Sequence, residues 1–307
     1  MPRYYDSFGK RPDILQYEQE VANLAEKGAT SFHCSEEEWL NPLELSTVLS
    51  QEQLNKLRTG WTLLIDLDSK FLEYSKIAAW LICQALYFHG VHNFGLKYSG
   101  GNGWHIGLDF RAFPTEIVYG KKIKLKDFFP EGPRLIASYL REMIRHELAF
   151  RILEISSIKE IAFATSLPVE KLIDEKKAFN PFSVVEIDTV LISSRHLYRM
   201  AYSLHEKTGL ASIVIKPEKL KAFHPAWAKP ERVFPTPFLP EPEPEEAKQL
   251  LLQALDWARK SEKKGEEKKK EAKVKIEKIE KLGKIERKIQ EIELSPAFSQ
   301  FFPPCIK

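Results

Sequence analysis

The chain has 307 residues, of which 43% are hydrophobic, so it is long enough to bury a core and too apolar to be fully disordered. Its 46 basic residues nearly balance its 43 acidic residues. The segment from Ala258 to Gln290 holds 14 basic and 7 acidic residues, which leaves the remaining chain near −4. Any nucleic-acid contact by the main body must therefore use a local basic groove, because its surface is not generally basic.

Cysteine occurs only at Cys34, Cys83 and Cys305, too few for a disulfide framework or a zinc site made of thiolates. We therefore expect no zinc and a reducing, cytoplasmic location. The longest uncharged run, Ile77 to Leu96, contains polar residues and a glycine, so it predicts a buried helix and a turn, and we expect no membrane partner. The high Lys and Glu content resembles that of heat-adapted proteins.

The elements predicted along the chain are helices and strands in mixed order. Apolar residues recur at helical spacing from Asp13 to Lys27 and from Leu45 to Arg58, where Ser46 and Ser50 are candidate N-caps. Further elements are predicted at Trp61 to Asp68 (strand), Ile77 to Phe88 (helix), Phe94 to Tyr98 and Trp104 to Phe110 (hairpin), Pro133 to Ser156 (helix), Val184 to Ile192 (strand) and Ala211 to Ile215 (strand). The pattern predicts an α+β fold.

The C-terminal part differs in composition from the rest. Five prolines between Pro235 and Pro244 interrupt regular structure, and Glu245 to Leu294 predicts a Lys/Glu-rich helix with one apolar stripe. We expect a catalytic domain at 1–240, a Pro-rich break with a charged helical linker at 241–295, and the start of a further, truncated domain at 296–307. The linker is predicted to be a charged helical extension of the core.

Asp66 and Asp68 end the first predicted strand. Because alternate residues of a strand share a face, both carboxylates point the same way, about 7 Å apart along the chain. The two charges repel each other, and Mg²⁺ or Mn²⁺, which prefer carboxylate oxygens, would offset that repulsion. The alternative is that these acids cap the following helix.

A glycine-rich turn, Ser99 to Gly103, precedes His105. Glycines allow the backbone to turn closely and to present N–H groups to an anion. An ordinary hairpin with a half-buried histidine accounts for the same pattern.

Asp188 lies in a later predicted strand and is followed by Arg199, His205 and Lys207. A strand carboxylate followed by cationic and hydrogen-bonding side chains would supply a third metal ligand and a polyphosphate clamp. A solvated basic helix and turn is the alternative.

In combination, these motifs resemble a known family. Asp-x-Asp on a strand, Ser-Gly-x-x-Gly-x-His in a hairpin, a later strand Asp, and Arg-x-x-x-Ser-Leu-His-x-Lys-Thr-Gly are similar to the archaeo-eukaryotic primase superfamily, in particular the catalytic small subunit of archaeal primases. The resemblance covers Trp61 to Ile215. It implies a core with an RRM-like mixed sheet flanked by helices, and template-directed nucleotide polymerisation by a DNA primase and polymerase.

The resemblance also implies roles for individual residues. Asp66, Asp68 and Asp188 would be catalytic and would hold two divalent ions, Mg²⁺ or Mn²⁺. Nucleotide binding would fall to Ser99, Gly100, Gly103, His105, Arg199, His205 and Lys207. The expected partners are a single-stranded or primed DNA template, nucleoside triphosphates and replication proteins.

The sequence departs from the family in two places. Relatives often carry a basic residue within Ser-Gly-x-x-Gly, whereas Gly101 and Asn102 stand here, and the relatives' zinc-binding Cys/His cluster is missing. The C-terminal Phe302-Pro-Pro-Cys305-Ile resembles the beginning of the iron–sulfur domain of the primase large subunit. One cysteine cannot hold a cluster, so we expect one only in a longer protein, as in plasmid-borne archaeal enzymes that fuse both primase activities.

Two other functions are compatible with the same residues. A metal-dependent nuclease or phosphohydrolase would use the carboxylates to place a metal-bound water. A replication scaffold that has lost catalysis would keep the fold alone, although the presence of all three aspartates and both motif histidines argues against it.

Overall fold

The computed structural model describes residues 1–4, 7–9, 13–189, 192–261 and 263. The chain divides into two compact units, Met1–Asp256 and Trp257–Lys307. Of the second unit, residues 257–261 and 263 are described and are helical, with the Ser261 hydroxyl donating to the carbonyl of Trp257 over 2.9 Å. Most of the predicted linker helix and the whole Cys305 segment lie outside the described residues.

Helices and strands are mixed in the first unit, and the named strand pairs are antiparallel, so the α+β class predicted from the sequence is confirmed. The helices are α1 Glu18–Glu26, α2 Gln51–Leu57, α3 Leu72–Phe88, α4 Glu131–Ile155 and α5 Ile158–Thr165. The strands are β1 Pro2–Tyr4, β2 Ser7–Phe8, β3 Ser31–Ser35, β4 Glu37–Trp39, β5 Arg58–Trp61, β6 Leu63–Ser69, β7 Gly95–Tyr98, β8 Trp104–Leu108, β9 Glu116–Tyr119, β10 Lys121–Lys124, β11 Val185–Ile187 and β12 Leu197–Arg199. No helix in the described ranges is both long and apolar enough to cross a membrane.

The central sheet has the strand order β11-β6-β8-β7 and two unlike faces. Along β6, Leu63, Ile65 and Leu67 are buried in the hydrophobic core, while the alternate residues Asp66 and Asp68 lie on the other face. The neighbouring strands follow the same alternation in register, so the core face is formed mainly by aliphatic and aromatic side chains. The charged residues of these strands lie on the other face, which we call the polar face.

Helices α3 and α4 pack against each other and against β6. On α4 the buried leucine and isoleucine residues recur every four positions, at Ile136, Leu140, Ile144, Leu148 and Ile152. This spacing gives α4 one apolar stripe, which it buries in the core shared with the apolar face of the sheet. The polar face of the sheet is left for other groups.

The Pro-rich segment packs against part of that polar face. Gly95 and Gly107 are directly paired across β7 and β8. A Cβ at Gly95 would lie 1.9 Å from the carbonyl oxygen of Phe238, and one at Gly107 would lie 2.7 Å from Leu239. Both glycines are thus required by the close approach of the segment 235–240, which we call the strap.

The first compact unit continues past residue 240, where the sequence analysis placed the domain boundary. Residues 248–261 are helical, and Leu250, Leu251, Ala254 and Leu255 are buried in the core of the first unit. Before this helix, the Glu246 carboxylate accepts the backbone N–H groups of residues 92 and 93. Prolines prevent regular structure in the strap but do not prevent it from packing.

Several elements are shorter than the sequence predicts. Helix α2 begins after Ser50, whose side chain and that of Gln53 form a capping box, so the helix does not extend back to Leu45. Helix α1 begins after Tyr17, because the Glu20 carboxylate accepts backbone N–H groups that precede the helix. Among the described residues of the predicted strand at 184–192, Val185–Ile187 form the strand β11, and the segment 211–215 forms isolated bridges.

Candidate active site

A row of four residues crosses the central sheet on its polar face. Asp66 of β6 pairs with His105 of β8, which pairs with Lys97 of β7. On the other side of β6, the N–H of Asp188, which directly follows β11, donates to the backbone carbonyl of Asp66 over 3.0 Å. Directly paired residues of neighbouring strands share a face. The sheet therefore brings two predicted metal ligands and a predicted nucleotide-binding histidine together, with Lys97 beside them.

A second pair of acids lies next to this row. Asp68 of β6 is paired with Glu186 of β11, so four carboxylates occupy neighbouring positions, two on β6, one on β11 and one directly after β11. Burial, together with the charge of Glu186, raises the pKa of Asp68. Neither aspartate of β6 caps α3, because the N-cap of that helix is Phe71 and no side chain caps it. The helix-capping alternative is thus absent from the structure.

Asp66 is one of these four carboxylates, whose part of the polar face we call the acidic face. Burial raises the pKa of Asp66 to about 7, and the charges of Asp68 and Asp188 act in the same direction. Its Oδ1 is buried and accepts no hydrogen bond, with His105 Nε2 at 3.5 Å, although 34% of the side chain is exposed. Burying a carboxylate oxygen that accepts no hydrogen bond costs free energy, and a positively charged partner would offset that cost.

No three His, Cys, Asp or Glu side chains in the described ranges form a ready metal-ligand set. The donors nevertheless fit a hard divalent cation, because the residues offered are carboxylates and the buried Oδ1 of Asp66 lacks a partner. The repulsion that raises the pKa of Asp66 would be offset by such a charge. Asp66, Asp68 and Asp188 are the residues that could hold it.

The glycine-rich turn 99–103 is organised by Ser99. The Ser99 hydroxyl oxygen accepts the N–H groups of Gly101 and Gly103 over 3.3 and 3.2 Å. Gly100 has a φ of +94°, a conformation that glycine adopts without strain. Ser99 and Gly100 therefore shape the loop, and Gly103 allows it to approach the carboxylates of β6.

His205 lies directly on this loop. A Cβ at Gly101 would stand 3.0 Å from His205 Nε2, and one at Gly100 would stand 2.6 Å from His205 Cβ. Thr208 fixes the contact, since its hydroxyl donates to the carbonyl of Gly100 over 2.6 Å. Two predicted nucleotide-binding elements that are about a hundred residues apart in sequence are thus adjacent, and they form one surface.

Arg199 is differently placed, at the end of β12 in the N-terminal sheet. Its guanidinium pairs with the Glu206 carboxylate at 2.8 Å and donates to the carbonyl of Leu204 over 2.5 Å. Glu206 also accepts the Ser31 hydroxyl. The charge of Arg199 is therefore already paired, whereas Lys207 on the following turn is exposed.

Two groups near the carboxylates were not predicted from the sequence. One is Lys97, for which the available signal was its place in a predicted strand of the hairpin. The other is the pair of Glu36 and His196, whose Oε1 and Nδ1 atoms are 2.7 Å apart. The hydrogen bond to Glu36 raises the pKa of His196, and the charges of Asp188 and Asp66 act in the same direction. No local pattern links two residues so far apart in the chain.

Known proteins offer one structural similarity to this chain and no sequence match. No known family model matches the sequence, and no curated protein sequence matches it. Among solved structures, the chain is similar to the polymerase domain of ligase D from Mycobacterium tuberculosis in complex with DNA, with a TM-score of 0.40 and 14% identity. The match covers 71% of this chain and 64% of that chain. A similarity of this degree assigns neither a fold family nor an activity to this chain.

Proposed function

We propose that this chain is a metal-dependent nucleotidyltransferase of the archaeo-eukaryotic primase superfamily, acting as a DNA primase and polymerase in archaeal or plasmid replication. The observation that carries the proposal is the acidic face of the central sheet, where Asp66, Asp68 and Asp188 lie beside a glycine-rich loop. One buried carboxylate oxygen there has no donor. Phosphoryl transfer depends mainly on positioning and charge stabilisation, and this arrangement suits both.

The three aspartates are proposed to hold two divalent ions, Mg²⁺ or Mn²⁺. When bound, such ions activate a primer 3′-hydroxyl and neutralise the charge of the triphosphate and of the leaving pyrophosphate. The protein's own contribution is the rigid placement of the carboxylates, two on β6 and one held to β6 by the hydrogen bond from the Asp188 N–H to the Asp66 carbonyl. As part of the same proposal, the central sheet is the RRM-like sheet of the primase superfamily.

The glycine-rich loop and His205 are proposed to bind the incoming nucleoside triphosphate. Ser99 and Gly103 shape the loop beside Asp68, and His205 packs against it, so both can reach one anion. His105 borders the same carboxylates, with its Nε2 at 3.5 Å from Asp66 Oδ1. Lys207 is exposed and would add a positive charge.

Arg199 is proposed to contact the triphosphate only when the triphosphate displaces Glu206 from its guanidinium. Its guanidinium is paired with Glu206, so a triphosphate that contacts Arg199 must compete with that carboxylate. We propose that the competition occurs in the nucleotide complex. DNA should bind through its phosphates, because replication needs little sequence preference, and binding should weaken as salt increases.

A primer-extension assay tests the proposal and separates it from its rivals. A labelled primer annealed to a template is incubated with Mg²⁺ or Mn²⁺ and with ribo- or deoxynucleotides supplied separately, and an unprimed template is run in parallel. We expect longer products that form only when nucleotides are supplied. Shortened products would instead show a nuclease, and DNA binding without either product would show a scaffold.

A further inference from the structure

Lys97 is fully buried on the polar face of the central sheet, which is unusual for a lysine. Its Nζ lies 2.9 Å from His105 Nδ1 and 3.1 Å from the Ser212 hydroxyl oxygen. Within the described ranges, Lys97 forms no ion pair with a carboxylate. The ammonium group is therefore satisfied by neutral partners, one of which borders the carboxylates.

The direction of each hydrogen bond follows from the partners. The Ser212 hydroxyl donates to the carbonyl of Tyr98 over 2.7 Å, so its oxygen accepts from Lys97. Burial lowers the pKa of Lys97 to about 7, while the charge of Asp66 favours the ammonium form, which has three hydrogens and no lone pair and so donates to His105. The position of His105 Nε2, 3.5 Å from Asp66 Oδ1, favours the same arrangement, with the ring hydrogen on Nε2. His105 Nδ1 is then an acceptor, and the ring hydrogen of the neutral imidazole lies on Nε2.

The strap keeps water away from this contact. The ring centroid of Phe238 lies 5.4 Å from Lys97 Nζ, and that of Tyr198 lies 5.9 Å away. Aromatic faces at this distance attract a cation without offering it a hydrogen-bond acceptor. Gly95, on the same strand as Lys97, allows the strap to come this close. The donation to Nδ1 therefore has no competing solvent partner.

We infer that Lys97 is a positioning residue that fixes the His105 ring with Nδ1 toward Lys97 and Nε2–H toward the carboxylate face. This inference rests on the proposed function, in which His105 Nε2–H donates to an oxygen of the bound triphosphate. Lys97 itself touches neither nucleotide nor metal. A lysine with a purely structural role would stabilise the sheet without determining which hydrogen His105 presents.

The first test is the state of His105 in the intact protein, read from the nitrogen resonances of a sample with ¹⁵N-labelled histidine. The His105→Gln variant assigns the signals by their loss. We expect Nδ1 without a hydrogen and Nε2 with one. A hydrogen on Nδ1 in the wild-type protein overturns the inference, and this result does not depend on whether the protein is a polymerase.

The second test uses variants in primer extension. Lys97→Met keeps the length of the side chain and removes the donor, and we expect it to raise the nucleotide KM about tenfold, as the loss of a charge-assisted contact would. The Nδ1 resonance of His105 should shift in this variant. Ser212→Ala, which removes the other partner of Lys97, is the matched control and should leave the nucleotide KM nearly unchanged, because His105 keeps its donor.

A double-mutant cycle decides whether Lys97 acts through His105. In a His105→Gln background, Lys97→Met should have little further effect on the nucleotide KM, because both changes remove the same contact. A full additional loss, or an unchanged Nδ1 resonance in Lys97→Met, overturns the inference. If Lys97→Met does not fold, Lys97→Leu, which also lacks a donor, takes its place in the cycle, and the wild-type spectrum still decides the orientation of the ring. Wild-type protein without extension activity contradicts the proposed function instead.

Discussion

Gly103 lies against the carboxylate of Asp68, so closely that a Cβ at Gly103 would stand 2.0 Å from Asp68 Oδ1. The same Cβ would stand 2.8 Å from the carbonyl oxygen of Leu67. The glycine-rich loop therefore touches the acidic strand β6 through its backbone. This contact joins the two halves of the proposed site, the carboxylates and the loop, and it has a direct consequence for mutation.

Gly103→Ala should reduce primer extension by at least about tenfold, because Asp68 or the loop must move to make room, and misplacement of a reacting group costs rate steeply. Steady-state extension rates measure the effect. Gly120→Ala is the control, since Gly120 has a φ of +71° with open space around it. That variant should lose about 1 kcal/mol of stability from backbone strain and keep its activity. Equal activity of both variants would show that the loop contact is unimportant.

A chain that ends after Lys263 should fold and extend primers, whereas one that ends after Pro244 should be strongly destabilised. The second truncation removes Leu250, Leu251 and Leu255, which are buried in the first compact unit. Loss of one such side chain costs roughly 2–5 kcal/mol. Thermal unfolding followed by circular dichroism compares the two chains with the full protein. Equal stability of the two truncated chains would place the domain boundary near residue 240 after all.

Acid should destabilise the protein partly through Glu206. Burial acts to raise the pKa of Glu206, but hydrogen bonds, chiefly from Arg199, lower it to about 2. An ordinary glutamate has a pKa near 4.5. Because the folded-state pKa is the lower one, this stabilisation is fully present above about pH 4.5 and is lost as the pH falls toward 2.

The variant Glu206→Gln should therefore be less stable than wild type at pH 7, and the difference should shrink as the pH falls from 4.5 to 2. Denaturant unfolding at several pH values measures it. Glu147→Gln is a suitable control, because Glu147 pairs with Arg151 on the surface of α4 and should contribute little at any pH. A constant difference between wild type and Glu206→Gln across this range would contradict the assigned pKa.

Local patterns in the sequence predicted the parts of the fold that depend on local periodicity. The shared face of Asp66 and Asp68 follows from the alternation along one strand. Helices α3 and α4 follow from long apolar periodicity, and their ends differ from the predicted ends by a few residues. These features need no knowledge of which strands are neighbours.

Features that depend on the order of strands could not be predicted in this way. Lys97 is beside His105 only because β7 pairs with β8 in one particular register. Glu36 meets His196 across 160 positions of chain. The packing of the strap could not be predicted for a different reason. Prolines predict the absence of regular structure, but they do not indicate that Phe238 packs against the sheet.

Arg199 shows the limit of a motif. Its position in the sequence predicts a contact with the triphosphate, but its guanidinium is held by Glu206 from the adjoining turn. The acidic partner lies between His205 and Lys207, inside the same motif. Nothing in the motif shows whether such a carboxylate faces the site or the arginine.

The most direct test of the proposed function is the rate of primer extension by Asp66→Asn, Asp68→Asn and Asp188→Asn, measured beside Glu147→Gln with folding checked by circular dichroism. Each aspartate variant should extend primers at least about 100-fold more slowly than wild type, because it loses a ligand charge at the reacting phosphate, while Glu147→Gln should retain full activity. A folded Asp66→Asn protein that extends primers at the wild-type rate would contradict the proposed function.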